Sequence, residues 1–144
     1  MIIDEIVGDM LRTDCQTITI PVNMVGTMGN GLALYCKKRW PITNTVYLEA
    51  CRNKSIRTRL HVVPVGEKQI LLLPTKNHWM EDSNEWLVRH SLQLLVNDYK
   101  SLEITSLAMP KIGCGKGNMD YNEEIRSLLF EYLNPIDIPV KIYI

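Results

Sequence analysis

The run Ile70–Leu73, ILLL, constrains the fold more than any other part of the sequence. Successive side chains of a β-strand point to opposite faces of a sheet. A run without polar alternation therefore needs cover on both faces, as strands have in layered α/β proteins. Strand-like runs extend over Ile2–Val7, Thr17–Val22, Leu60–Pro64, Gln69–Leu73, Glu103–Ala108 and Val140–Ile144. The segment HVVPVGEKQILLL reads as two strands turning around Gly66, and Pro64 puts the first near an edge or a strand end. Helix-like runs lie between the strands. Gly31–Arg39 stops before Pro41, where the residue preceding proline disfavours helix. Thr43–Arg52 carries Val46, Tyr47, Ala50 and Cys51 on one side. Ser83–Tyr99 has a stripe of Leu87, Ser91, Leu94 and Leu95, with Asp82 and Glu85 as a candidate capping box. Tyr121–Leu133 starts at Asp120 and Glu123 and has an inner face of Ile125, Leu128, Leu129 and Tyr132. Strands alternating with helices, plus one hairpin, predict an α/β sandwich on a mixed sheet.

Length and charge narrow the function classes. A chain of 144 residues without repeat or linker is expected to be one domain, 1–144. No apolar run approaches the roughly 18 residues of a membrane span, and MIIDEIVGD lacks the basic start and apolar stretch of a signal peptide. The formal net charge is zero, so any nucleic-acid contact has to be local. Cys15, Cys36, Cys51 and Cys114 are scattered, which argues against a zinc site and a disulfide framework. A reducing cytoplasm is the expected location, with no metal or cofactor.

Three segments fall where strands pass into helices, the ligand-binding end of open α/β sheets. In PKIGCGKGNMDY, Gly113, Gly115 and Gly117 leave backbone N–H groups uncovered ahead of a helix start. Such amides form an anion nest, although a plain flexible loop fits the same glycines. Lys116 is not followed by Ser or Thr, so this is no Walker A loop. In PVNMVGTMGNGLAL, Asn23 can donate and accept, which suits sugar hydroxyls, and Gly29-Asn30-Gly31 permits close approach to backbone. An ordinary strand–helix turn reads the same way. In LLLPTKNHWM, Lys76 directly follows a strongly apolar strand. Most lysines are solvated surface groups, but one beside apolar walls can lose its proton and act as a nucleophile. His78 and Trp79 are near; Trp79 is a core or surface cover, or a stacking platform. Asp9, after the first strand, is a helix N-cap or an acceptor for an amino group such as that of adenine.

Together these segments resemble the macrodomains, ADP-ribose-binding α/β/α proteins, over Ile3–Tyr143. GDM is similar to the family's G-D-[IL]. VNMVGTMGNGLAL, PTKNHW and PKIGCGKGNMDY resemble the corresponding patterns of the DarG-type subgroup, in order and spacing. That subgroup removes ADP-ribose from thymidine bases in DNA; terminal ADP-ribose protein glycohydrolase is a more distant relative. The resemblance implies a three-layer α/β/α fold on a mixed, mostly parallel sheet of about six strands. It implies that Gly8, Asp9 and Met10 hold adenine and that Tyr143 stacks on it. It implies that Asn23, Thr27, Met28, Gly29, Asn30, Gly31 and Leu32 surround the distal ribose, with Thr75 beside them. Ile112, Gly113, Cys114, Gly115, Lys116, Gly117 and Asn118 wrap the pyrophosphate in the same picture. Lys76 matches the catalytic lysine, Asn23 orients the ribose as a second catalytic residue, and His78 and Trp79 are candidate base or DNA contacts.

Two departures bear on chemistry. DarG-type proteins often carry Lys where Asn30 stands, and the protein-directed glycohydrolase carries Asp where Gly117 stands. The missing carboxylate favours the DNA-directed reaction. For a chain ending at Ile144, without the toxin-neutralising region of DarG antitoxins, any antitoxin action is expected to be enzymatic only. The expected partner is ADP-ribosylated single-stranded DNA, met by a monomer away from membranes. The alternatives are hydrolysis of protein-linked ADP-ribose or of ADP-ribose 1″-phosphate, and an ADP-ribose reader without chemistry.

Overall fold

The computed structural model describes residues 3–29 and 31–144, and all of these but the Lys116 side chain. Six strands form one sheet in the order β1-β6-β5-β2-β4-β3. They are β1 (Ile3–Ile6), β2 (Thr17–Asn23), β3 (His61–Val65), β4 (Lys68–Lys76), β5 (Leu107–Pro110) and β6 (Val140–Tyr143). All neighbours pair parallel except β3 and β4, the hairpin read around Gly66. Gly66 has φ of 72°, and Pro64 sits on the edge strand, where its missing donor costs nothing in the ladder.

The apolar run of β4 divides between two cores, as the sequence requires. Leu71 and Leu73 join Leu107, Met109, Val140 and Ile142 against α3 (Glu85–Asp98) and α4 (Arg126–Leu133). Ile70 and Leu72 join Ile18, Ile20, Val22 and Ala108 against α1 (Gly31–Arg39) and α2 (Pro41–Arg52). The sheet is thus the middle of three layers. Every β4 side chain from Ile70 to Leu73 is fully buried, and each such burial is worth about 1.5–3 kcal/mol.

Several element boundaries differ from the sequence reading. β5 begins at Leu107, not Glu103, because Glu103 turns the chain out of α3 with φ of 59°. α2 begins at Pro41, whose fixed φ and absent N–H suit the first helical position. α3 is capped by Asn84, whose side chain accepts from Leu87 N at 3.2 Å, and Asp82 binds elsewhere. Asp120 does cap its helix, accepting from Glu123 N at 2.8 Å, but the first turn, Tyr121–Ile125, is a π turn. Ile2 lies outside the described residues. Among the described residues no helix is long and apolar enough to cross a membrane.

Leu72→Ala is expected to lower unfolding stability in urea by about 2–5 kcal/mol through lost burial and the cavity left. Val7→Ala, at a site 85% exposed, should stay within about 0.5 kcal/mol. Equal costs at the two positions would contradict the two-sided core.

Candidate functional site

The five parallel strands present their C-terminal ends along one side of the sheet. β2 and β5 pair only at Thr17↔Leu107 and Ile18↔Ala108, and then part. A cleft of about 420 Å³ opens where they separate. Chain order reverses here, with β2 feeding helices on one face and β4 and β5 feeding helices on the other, which makes it a topological switch point. Across strands about 4.8 Å apart, the ends of β1 to β4 span roughly 19 Å, room for an elongated ligand.

A break in register shapes the cleft wall. β2 and β4 pair regularly up to Val22↔Pro74, then shift so that Asn23 lies opposite Lys76. Such irregularities re-aim side chains. Pro74 has no N–H for the ladder, and its carbonyl accepts from the buried Ser91 hydroxyl on α3 at 2.6 Å. Lys76 and Asn23, the last residues of β4 and β2, are therefore neighbours at the mouth, brought together by the fold and not by the chain. The Lys76 ammonium makes one long contact, 3.5 Å to the Trp79 carbonyl oxygen.

Asn23 is largely committed to its own loop. Its Oδ1 accepts from the Tyr47 hydroxyl at 2.6 Å, Val25 N at 3.1 Å and Thr27 N at 3.4 Å. Its Nδ2 donates to the Thr27 carbonyl at 2.8 Å, leaving one N–H for a ligand. Tyr47 also accepts from Gly26 N at 3.2 Å. The tyrosine is fully buried, and burial pushes its phenol well above the usual range, so it stays a neutral donor.

The opposite wall is the glycine loop. Gly113 has φ of 77°, and a Cβ there would meet Met119 Sδ at 2.8 Å. Among the described residues, the amides of Gly113 and Gly115 donate to no protein acceptor. Buried amides are rarely left so, and Gly113 is buried at the cleft. Across from them, Gly31, Leu32 and Ala33 of the first turn of α1 face the same space. Helix N-termini carry partial positive charge, so two donor-rich walls face one another. The described lining holds Lys76 and Lys111 and no Asp or Glu. An anion fits such a wall. Cys114 also lines it, but burial pushes its thiol up, so it is no thiolate at neutral pH.

A strap, residues 77–84, laces the two walls together. Met24 N donates to the Asn77 carbonyl at 3.2 Å, Asn84 N to the Thr75 carbonyl at 3.0 Å, and Ser83 N to the Gly117 carbonyl at 2.9 Å. Asn118 Nδ2 donates to Asp82 at 2.6 Å. A Cβ at Gly117 would lie 3.0 Å from Ser83 Cβ and closer still to its Oγ. The strap thus occupies the place that a carboxylate at residue 117 would need.

The structure gathers Asn23, Thr27, Gly29, Gly31, Leu32, Thr75, Lys76, Trp79, Gly113, Cys114, Gly115 and Gly117 around the cleft. Met28 and Ile112 turn into the two cores and support the loops from behind. His78 stacks on Trp79, with ring centres 5.4 Å apart, and accepts from Met80 N at 3.1 Å. Gly8, Asp9, Met10 and Tyr143 stand at the far strand ends. Asp9 caps a 3-10 turn, Met10–Arg12, accepting from Leu11 N at 3.0 Å, and Met10 is buried. The Tyr143 hydroxyl donates to Thr13 Oγ1 at 2.8 Å. Asn30 and the Lys116 side chain lie outside the described parts. Pro21, Val22, Ala33, Ser83, Pro110 and Lys111 also line the cleft, and sequence reasoning did not select them. Nor did it select Tyr47, which reads as one more apolar-face residue of a helix.

The sequence profile of the Macro domain family matches residues 20–128. The chain is 33% identical, over 94% of its length and 40% of the other's, to a protein of Mycobacterium tuberculosis named DNA ADP-ribosyl glycohydrolase. It superposes on the macrodomain of Mycobacterium tuberculosis DarG with a TM-score of 0.91 and 33% identity, covering 98% of this chain and 96% of that one. It superposes on Thermosipho africanus DarTG, solved in complex with ADP-ribose, with a TM-score of 0.90 and 33% identity over 98% of this chain and 41% of the other. The chain spans about 40% of the length of the curated relatives it matches.

Tyr47→Phe is expected to cost about 1–3 kcal/mol in unfolding free energy, because Asn23 and Gly26 lose a buried partner. Hydrogen exchange at the Gly26 amide should accelerate, and unchanged exchange would contradict this role. Gly117→Asp should displace the strap and be relieved in part by Ser83→Gly. Indifference of stability to Gly117→Asp would show the contact to be slack.

Proposed function

This chain belongs to the Macro domain family, and from that premise we propose that its cleft binds ADP-ribose and hydrolyses it from thymidine bases in single-stranded DNA. The observation that carries the reading is the meeting of Lys76 with Asn23 at the mouth of a cleft that, among the described residues, has open amides and no carboxylate. The name of the Mycobacterium tuberculosis relative and the ADP-ribose in the Thermosipho africanus structure support the same reaction and ligand.

In this reading the diphosphate lies between the Gly113 and Gly115 amides and the first turn of α1. Each charge-assisted hydrogen bond there is worth about 1.5–3 kcal/mol. Adenine lies toward Gly8, Met10 and Tyr143, and the Asp9 oxygen not used by its cap accepts from the amino group. The free Nδ2 hydrogen of Asn23 goes to a hydroxyl of the distal ribose, which sets C1″ before Lys76. As a neutral amine, Lys76 forms a bond to C1″ while the bond from C1″ to the base breaks. The base leaves with the electron pair and takes up a proton. The ribose ring then opens, the C1″–O4″ bond breaking as O4″ takes up a proton, to leave an iminium between C1″ and Lys76. Water adds at C1″, the amine leaves and the ring closes again. As an ammonium, the same group instead meets the charge growing on the departing base while water attacks directly. Trp79, 49% exposed at the cleft, stacks on the base, a contact worth about 1–3 kcal/mol.

Among the described lining residues there is no carboxylate, which favours a lysine-dependent release over acid–base catalysis by paired carboxylates. The protein acts as a monomer in the cytoplasm, where its free cysteines stay reduced.

Lys76→Ala is expected to lower release of ADP-ribose from a thymidine-modified oligonucleotide by about 10²–10⁴-fold, the range for one positioned catalytic group. ADP-ribose binding by calorimetry should remain. Near-wild-type turnover by the variant would remove the lysine mechanism. Faster release from a protein carboxylate than from DNA would reassign the substrate. A borohydride-trapped adduct on Lys76 would select the neutral-amine route.

A further inference from the structure

Outside the cleft, α3 carries an aromatic pair that the core does not need. Trp86 is 71% exposed, and its ring lies 5.3 Å from that of His90 with 4° between the planes. One face of the indole is covered by His90 and the other is open. A tryptophan left this open contributes little to burial.

The pair is fixed against a basic segment. His90 Nε2 lies 3.3 Å from the Arg57 carbonyl oxygen. Arg52, Lys54, Arg57 and Arg59 fall within residues 50–66, which contain no Asp or Glu. Arg52 pairs with Glu49, and Arg89 on α3 is flanked by Glu85 and Glu131. Among the described residues, Lys54, Arg57 and Arg59 make no salt bridge. In a chain of zero formal net charge, this is a local place for a polyanion.

The pair also lies close to the cleft in the chain. Ser83 lines the cleft, and Trp86 follows three residues later, within about 11 Å by chain reach. Trp79 stands at the rim on the same strap. Two exposed indoles, Trp79 and Trp86, thus stand near the cleft, separated in sequence by Glu81, Asp82 and Glu85, with the Arg57 backbone beside the second. Proteins that hold single strands without sequence preference combine such stacking faces with a basic track. An acidic peptide would use the arginines but leave the indole face without a planar partner.

We propose that Trp86 and His90, with Arg57, form a stacking platform for the single-stranded DNA that flanks the modified nucleotide. The proposal rests on the DNA reading above and extends it to a second contact region.

The test is binding of a fluorescent, unmodified single-stranded thymine oligonucleotide to the full chain, followed by anisotropy at several salt concentrations. The wild type should bind at low salt. Trp86→Ala should weaken binding about 5- to 150-fold, the effect of losing one stacked base, with an unchanged urea midpoint as the folding control. Arg57→Gln should reduce the slope of log affinity against log salt by about 0.7. No strand binding by the wild type, or equal binding by Trp86→Ala, overturns the platform. Loss in the arginine variant alone also overturns it, leaving only an anion patch. The readout is binding and not turnover. A chain that holds the strand through Trp86 yet releases no ADP-ribose would remove the glycohydrolase reading and keep the platform.

Discussion

Everything at the site depends on two neighbouring strands that pair briefly and then part. β2 and β5 share the centre of the sheet, yet their pairing ends at Ile18↔Ala108. Beyond that point the backbone of each has to find other partners or none. β2 continues against β4 and shifts register at Asn23. β5 runs into a loop whose Gly113 and Gly115 amides find no protein acceptor among the described residues. The two buried cores are what permit this. With Leu71 and Leu73 anchored on one face and Ile70 and Leu72 on the other, the sheet stays rigid below the crevice.

The polar groups around the crevice hold one another in place before any ligand arrives. Tyr47 reaches from α2 through one core to grip Asn23. The strap after Lys76 is tied to the loop after β2, to Thr75 and to Gly117. Lys76 is therefore not on a free loop; the backbone on both sides of it is fixed to the walls that would hold the ligand. Preorganisation of this kind is the means by which positioning lowers a barrier. It also gives Gly117 a structural reason: Ser83 lies against it, where a side chain would have to intrude.

The layers and the site segments were legible in the sequence for distinct reasons. The uninterrupted apolar run of β4 demanded cover on two faces, and the structure supplies both cores. Glycines at strand ends marked the loops because bare backbone has few other uses there. What stayed hidden depended on long-range geometry. The register shift that sets Asn23 opposite Lys76 has no local signature. Asp82 fits a capping box by spacing, yet Asn118, 36 residues away in sequence, takes its carboxylate and Asn84 caps instead. β5 starts late because Glu103 turns the chain at the end of α3. Met28 and Ile112 belong to motifs that form the cleft, but their side chains face the cores. A motif identifies a backbone path more reliably than it identifies which of its side chains meet the ligand.

The most direct measurement is a titration of isotope-labelled protein with ADP-ribose, followed through backbone amide resonances. The account expects the largest shifts at Gly113 and Gly115 and in the first turn of α1, with smaller ones at Tyr47-held Gly26 and along the strap. Saturable binding that moves resonances elsewhere and leaves the Gly113 and Gly115 amides in place would contradict it.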